Sequence, residues 1–245
     1  MLSRLDDIRQ AAKDTATFSS DFRHLLQGPE PSPAAAEIYK DGYDQVDTLL
    51  TMDPPRHKVF RSLINKVFSA KRVEKMQGYM EQIVDELIDA MIEKGECEFV
   101  RDFATPLPVY VIADQLGVPR EDLEKIKAWS DAFASRLGGM MTAEEEIENA
   151  RLIVDYQQYM VKIIEDRRAE PRDDMISDMV NTTLSEDRLM TMEELLSMIQ
   201  QLLVAGNETT TSALAGGMLS LIQLSDQLQQ LLDDPGIIKN AVEEI

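Results

Sequence analysis

The run LLVAGNETTTSALAGG at residues 202–217 sets an acid and an alcohol side by side inside an otherwise apolar stretch. A carboxylate enclosed by apolar neighbours is expected to lose hydration, which favours the protonated form and would make Glu208 a proton carrier. The Thr209 hydroxyl donates and accepts, and on a helix it can bond back to a carbonyl one turn earlier and loosen that turn. The two form a proton relay in outline. Beside them Gly206 costs about 1 kcal/mol relative to alanine in a helix interior. A stripe through Ala205/Gly206, Thr209, Ser212/Ala213 and Gly216 carries almost no bulk. Such a stripe serves either a broad flat ligand or close packing against another helix, and spacing alone leaves both open.

A second constellation is cationic. Residues 54–73 hold Arg56, Lys58, Arg61, Lys66, Lys71 and Arg72 with no acid, in a chain whose net charge is −20. On a helical wheel His57, Arg61, Ile64 and Phe68 share one stripe, flanked by Phe60, Leu63 and Val67. Two hydrogen-bonding side chains thus border an apolar surface. That pattern suits a ligand with a greasy body and carboxylate edges, because the guanidinium fork matches carboxylate oxygens. The plainer alternative is a solvated basic face that pairs with acids elsewhere. A third candidate, PRDDMISD at residues 171–178, resembles the aspartate-rich motif with which helical terpene synthases gather magnesium around a diphosphate. Its partner motif fails: after Asn181 and Ser185, position 189 is Leu where an acid is needed. Asp173 and Asp174 read better as acids at a helix start.

The elements that must carry these residues are mostly helices. Gly and Pro number only 11 and 10 in 245 residues, while Leu, Met, Ala, Glu and Gln abound, which favours helices over a sandwich or barrel. Asp53-Pro54 opens a helix that runs to about Phe68. An amphipathic stretch follows over residues 72–94, ended by Gly95. Residues 96–100 are the best strand candidate. Helices are expected near 105–117, 121–137, 143–169 and 173–180. Thr191 and Glu194 make a capping box for a proline-free element over residues 192–234, the longest and most central helix. Residues 27–36 and 137–142 read as flexible links. A membrane span needs about 20 apolar residues, and Asn207 and Glu208 interrupt the one run long enough.

Acidity excludes a nucleic-acid partner except at a local basic patch, since a phosphate backbone repels a chain of pI ≈ 4.4. The single cysteine, Cys97, excludes an internal disulfide. The N-terminus shows no apolar signal segment, so the chain reads as soluble and cytoplasmic, with no membrane partner. Both ends look cut: the opening residues start in mid-pattern, and the helix that Asp234-Pro235 begins stops at Ile245 with Ile237, Ile238 and Val242 patterned for burial.

At the two main constellations the sequence resembles the cytochrome P-450 family of haem-thiolate monooxygenases, in its soluble bacterial type. DPPRHKVFRSLINKVFSAKRV resembles the family's helix that crosses the haem edge, and LLVAGNETTTSALAGG its long central helix with the A-G-x-[D/E]-T-[S/T] signature. TATFSS, DFATPLPVYVIADQLGVP and NAVEEI are weaker likenesses in the right order, so the resemblance covers essentially the whole chain. It implies a mainly α fold, an orthogonal helical array around one long central helix with minor β, present here as one partial domain over residues 1–245. The N-terminal sheet region and the C-terminal loop bearing the iron-ligating cysteine would lie outside it. Position by position, it implies that His57 and Arg61 hold the propionates of haem b and that Ala205 and Gly206 lie against the macrocycle. It further implies that Thr209 and Glu208 deliver protons for O–O cleavage, and that Gln201 and Val204 face the substrate.

The implied reaction is insertion of one dioxygen atom into a small apolar organic substrate, with electrons from a ferredoxin-type or flavoprotein donor. Cys97, between Glu96 and Glu98 in the strand candidate and remote from the haem motifs, cannot replace the missing ligand. The chain also stops inside the family's E-x-x-R element, of which Glu244 matches the glutamate. The chain alone is therefore expected not to turn over. The alternative is a non-catalytic helical module that binds small molecules.

Overall fold

The computed structural model describes residues 2–22, 30–138, 141–184 and 188–245. The helices in chain order are α1 (Leu5–Lys13), α2 (Pro33–Tyr39), α3 (Arg56–Val67), α4 (Ala70–Ile92), α5 (Pro106–Gln115), α6 (Leu123–Gly138), α7 (Ala143–Ala169), α8 (Met175–Asn181), α9 (Met192–Gln223), α10 (Ser225–Asp233) and α11 (Ile238–Glu244). Among the described residues there is no strand. The strand expected at residues 96–100 is instead an irregular link that enters a wide helical turn, Val100–Ala104. Side chains decide this locally. Glu98 accepts from the backbone N–H groups of Val100 and Arg101, and Asp102 accepts from that of Glu98, so this backbone finds partners within one turn instead of across a sheet.

Helix boundaries otherwise follow the sequence cues closely. Gly95 ends the α4 region at φ +68°, and Gly117 turns the chain between α5 and α6 at φ +66°. Capping boxes start α7 at Thr142/Glu145 and α9 at Thr191/Glu194. Two expectations change. Part of the link placed at residues 27–36 is helical, because Ser32 caps α2 and Pro33 sits at its first turn, where no N–H is needed. The remainder of that link, up to residue 29, lies outside the described residues, as do residues 139 and 140 of the other. The long element also does not run to residue 234: Leu224 leaves the helical region at φ −110°, ψ 66°, and α10 restarts with Asp226 in its first turn.

One hydrophobic core joins α3, α5, α6, α7, α8 and α9. Trp129, fully buried, stacks edge-on with Tyr156 while its indole N–H donates to Asp155 at 2.9 Å. Tyr156 in turn donates from its hydroxyl to the Leu196 carbonyl at 2.9 Å, which ties α7 to α9 in the dry interior. Buried Arg167 pairs with Asp166 and with Asp174 at the start of α8. Its guanidinium also lies where a side chain on Gly117 would have to go.

Candidate functional site

The central helix α9 is built to hold still at one end. Thr191 accepts from the Glu194 N–H at 3.2 Å, and the Glu194 carboxylate accepts from the Thr191 N–H at 3.0 Å. Arg188 binds the same carboxylate with both arms of its fork, at 2.7 and 2.9 Å, and chiefly for that reason the Glu194 carboxyl sits below its ordinary range. Leu195, Leu196, Met198, Ile199 and Leu203 then bury the helix against α5, α6 and α7.

The segment between α2 and α3 crosses this buried half as a strap. The Val46 N–H donates to Ser197 Oγ at 3.1 Å, and Gln45 reaches Gln200. From α7, Gln157 grips the Tyr43 backbone at both its N–H and its carbonyl, each at 2.9 Å. Gly42 leaves room for this grip, since a Cβ there would displace the Gln157 amide. Nothing in the residue types announces this strap; only the approach of α7 to α2 makes it.

Downstream of Leu203 the helix changes character. Gln201 and Val204 are half-buried, Gly206 half-buried, and Ala205, Glu208 and Thr209 exposed. The Thr209 hydroxyl donates to the Ala205 carbonyl at 2.6 Å, the back-bond expected of a threonine at that turn. Glu208 departs from expectation: its side chain is exposed and not enclosed by apolar neighbours. The deeply buried polar residue is its neighbour Asn207, at 3 % exposure. Helix rotation places Asn207 on the core side and Glu208 about 100° away from it. Gly206 has room as well. The nearest atom to an added Cβ would be Ile112 Cδ1 at 3.8 Å, so packing within the chain does not require glycine.

Helix α3 buries Phe60, Leu63, Ile64 and Val67 in the same core as α9. His57 is half-buried and Arg61 exposed, one turn apart along α3. The basic island divides between both readings of it. Arg56 pairs with Asp47 at 3.5 Å, and Arg72 pairs with Asp178 and, at 3.5 Å, with Asp173, while no ion pair forms at Arg61 among the described residues. Arg56 also helps to lower the Glu194 carboxyl, so the first turns of α3 and α9 are electrostatic neighbours. No hydrogen bond or ion pair among the described residues joins His57 or Arg61 to residues 205–209.

The aspartates of the PRDDMISD run are used otherwise than for a metal. Asp174 caps α8, accepting from the Ser177 N–H at 2.8 Å, and binds Arg167 at 2.5 Å; Asp173 turns toward Arg72 and Lys75. Among the described residues no group of three or more His, Cys, Asp or Glu is placed to hold a metal ion, and no helix is long and apolar enough to cross a membrane.

The residues available suit a flat macrocycle with carboxylate edges. His57 and Arg61 give an i, i+4 donor pair, and Ala205, Gly206 and Thr209 give a helix face with no bulk and no packing claim on its glycine. Comparison with known proteins bears on the family. The family profile described as Cytochrome P450 matches residues 140–234. The polyketide biosynthesis cytochrome P450 PksS of Bacillus subtilis (strain 168) is 35 % identical over 245 residues, covering 100 % of this chain and 58 % of its own length. The mycinamicin IV hydroxylase/epoxidase of Micromonospora griseorubida is 40 % identical over 246 residues, again 100 % and 58 %. Among solved structures, cytochrome P450 CREJ in complex with (4-ethylphenyl) dihydrogen phosphate superposes with a TM-score of 0.88 at 28 % identity, over 99 % of this chain and 60 % of the other. The chain thus spans a little over half the length of the relatives it matches. A helical array that superposes over nearly its whole extent, together with relatives 35 % and 40 % identical along the whole chain, leads to one assignment: the chain belongs to the cytochrome P450 family.

Proposed function

We propose that these 245 residues form the helical part of a haem-dependent monooxygenase that inserts one atom of dioxygen into a small organic substrate, with electrons from a separate ferredoxin-type or flavoprotein donor. The observation that carries the proposal is the bare, unclaimed turn at Ala205–Gly206 followed directly by Glu208 and Thr209. Haem b, when bound, supplies the redox chemistry of dioxygen.

In this reading His57 and Arg61 bind the propionates and fix the macrocycle's edge. Ala205 and Gly206 let its face approach the helix axis. Thr209 Oγ1, whose proton points to the Ala205 carbonyl, turns by rotation about χ1 to give that proton toward the open face. Glu208, standing in water, takes up protons from solvent and resupplies the threonine. This differs from a desolvated carrier, because the exposed carboxylate is the inlet of the relay. Val204 supplies apolar contact and Gln201 a polar one on the substrate side. The names of the polyketide and mycinamicin relatives favour an organic substrate of the size of a natural-product skeleton. The iron's cysteine comes from outside these residues, since Cys97 is exposed on the link after α4. The chain by itself does not turn over, and the protein works in the cytoplasm.

Hemin titration of the purified chain tests the reading. Saturable growth of the haem absorption band is expected, weakened about tenfold or more in Arg61→Ala through loss of a charge-assisted contact. The reduced, carbon-monoxide-bound spectrum is expected to lack the red-shifted thiolate band; its presence would make Cys97 a ligand and overturn the assignment. No hemin binding at all would leave a helical small-molecule-binding module.

A further inference from the structure

Away from the proposed haem face, a hollow of about 230 Å³ opens between α4, the end of α5 and the link from α7 to α8. Arg72, Lys75, Met76 and Tyr79 line it from α4, Asp114 and Gln115 from α5, and Asp173 from the link. Three features give it a chemical character. The Tyr79 hydroxyl is buried and has no hydrogen-bond partner. A phenol in that state lacks an acceptor, and a buried donor left unmade is costly to keep.

Two cations stand on the same helix at i and i+3. Arg72 is anchored to Asp178 and has only 19 % of its side chain exposed, whereas Lys75 is 65 % exposed. The anion facing both cations is loosely held. Asp173 lies 3.5 Å from Arg72 and 3.9 Å from Lys75 with 87 % of its side chain exposed, too far from the lysine for a hydrogen bond. A solvated, loosely paired carboxylate therefore occupies the outer side of a hollow that two cations and Tyr79 line. Partial burial also pushes the Asp114 carboxyl upward, against the pull of Arg120.

We propose that this hollow binds a small organic oxyanion, a phosphate monoester or a carboxylate, whose oxygens take the place of Asp173 on Lys75 and Arg72 and accept the Tyr79 proton. The chemistry selects an anion and not a cation. Lys75 and the Tyr79 hydroxyl, the lining groups with the weakest partners, are donors, and among the described residues no group of three or more His, Cys, Asp or Glu could hold a metal ion. Met76 gives the hollow an apolar wall for the short carbon body of such a ligand. The site is independent of the haem reading, since none of its residues takes part in it.

Calorimetric titration of the whole chain with inorganic phosphate and, separately, with succinate, ionic strength held constant with sodium chloride, tests the site. Saturable one-to-one binding of at least one anion is expected, and which one binds separates the phosphate source from the carboxylate source. Lys75→Ala and Tyr79→Phe should each weaken it by roughly tenfold, the scale of a lost charge-assisted or buried hydrogen bond. Tyr79→Phe removes only a hydroxyl that has no partner, so the fold survives to be measured. Asp173→Asn should tighten binding severalfold by removing the internal competitor. Absence of saturable binding by both anions, or an affinity that Tyr79→Phe leaves unchanged, overturns the proposal.

Discussion

The two halves of α9 are one continuous helix with opposite commitments. From Met192 to Asn207 large aliphatic side chains meet α5, α6 and α7, and Leu195, Met198, Ile199 and Leu203 are wholly buried. From Glu208 onward the side chains shorten and Leu219 and Ile222 are 55 % and 64 % exposed; the Ser220 hydroxyl donates within the helix to the Gly216 carbonyl, while that of Thr211 donates across to the Ala104 carbonyl at 3.2 Å. The only buried residue of this second half is Gly217, against which Ile245 packs. Length and continuity therefore do not show where a helix is stabilised. The first half is held by tertiary burial and its cap, while the second has few tertiary contacts, chiefly Thr211 to Ala104 and Gly217 to Ile245, and leaves a face for something else. A rigid anchor joined to an open face is what positioning a ligand requires.

Substitutions along the helix can break that contrast or sharpen it. The largest effect is expected at Leu203→Ala, which deletes a fully buried side chain and should cost about 2–5 kcal/mol in denaturant unfolding. A cost below ~1 kcal/mol would mean that the first half is not the anchor.

Next is the cap. Thr191→Ala should cost about 1 kcal/mol. The capping carboxylate adds a pH dependence of known sign. The Glu194 carboxyl is held below its ordinary range in the fold, so its stabilisation is present above the unfolded value of about 4.3 and fades as pH falls through the lower folded value. Amide exchange in the first turns of α9 should accelerate over that acid range in the natural chain, and Glu194→Gln should flatten the response.

A change of opposite sign is expected at Gly206→Ala. The added methyl meets nothing closer than Ile112 at 3.8 Å, so the helix should gain about 0.5–1 kcal/mol. If the bare turn serves a ligand, hemin affinity should fall in the same variant. A stabilised protein with unchanged hemin binding would return the stripe to plain packing. Smallest of all, Ile222→Ala on the exposed half should change stability by no more than about 0.5 kcal/mol. A multi-kcal/mol loss there would erase the distinction between the halves.

Much of this was legible in residue types. The span of α7, the capping box of α9 and the helix after Asp53-Pro54 follow from caps, prolines and periodicity, all of which act within a few residues. The i, i+4 placement of His57 and Arg61 and the back-bond of Thr209 belong to the same class. Other readings changed, some where a local cue was outweighed by another local one and some where packing decided. Residues 96–100 have strand-like composition, but Glu98 and Asp102 satisfy their backbone in a turn, and no neighbouring strand competes. Glu208 sits in an apolar run, yet rotation about the helix exposes it and buries Asn207, because the side the core occupies depends on where α5 and α6 lie. Leu224 ends α9 without proline or glycine as a signal.

Sequence alone determined that this is a helical protein carrying a cationic segment, a pared-down acid–alcohol turn and a long helix capped at Thr191, since these depend on side-chain size, charge and spacing along one element. Which of the six cations of residues 54–73 are paired, which face of α9 is dry, that Gln157 grips the Tyr43 backbone and that Tyr79 is left without an acceptor were decided only by the tertiary structure. Each depends on the distance between groups far apart in the chain, and that distance is set by how whole helices pack against one another rather than by the neighbours of any one residue.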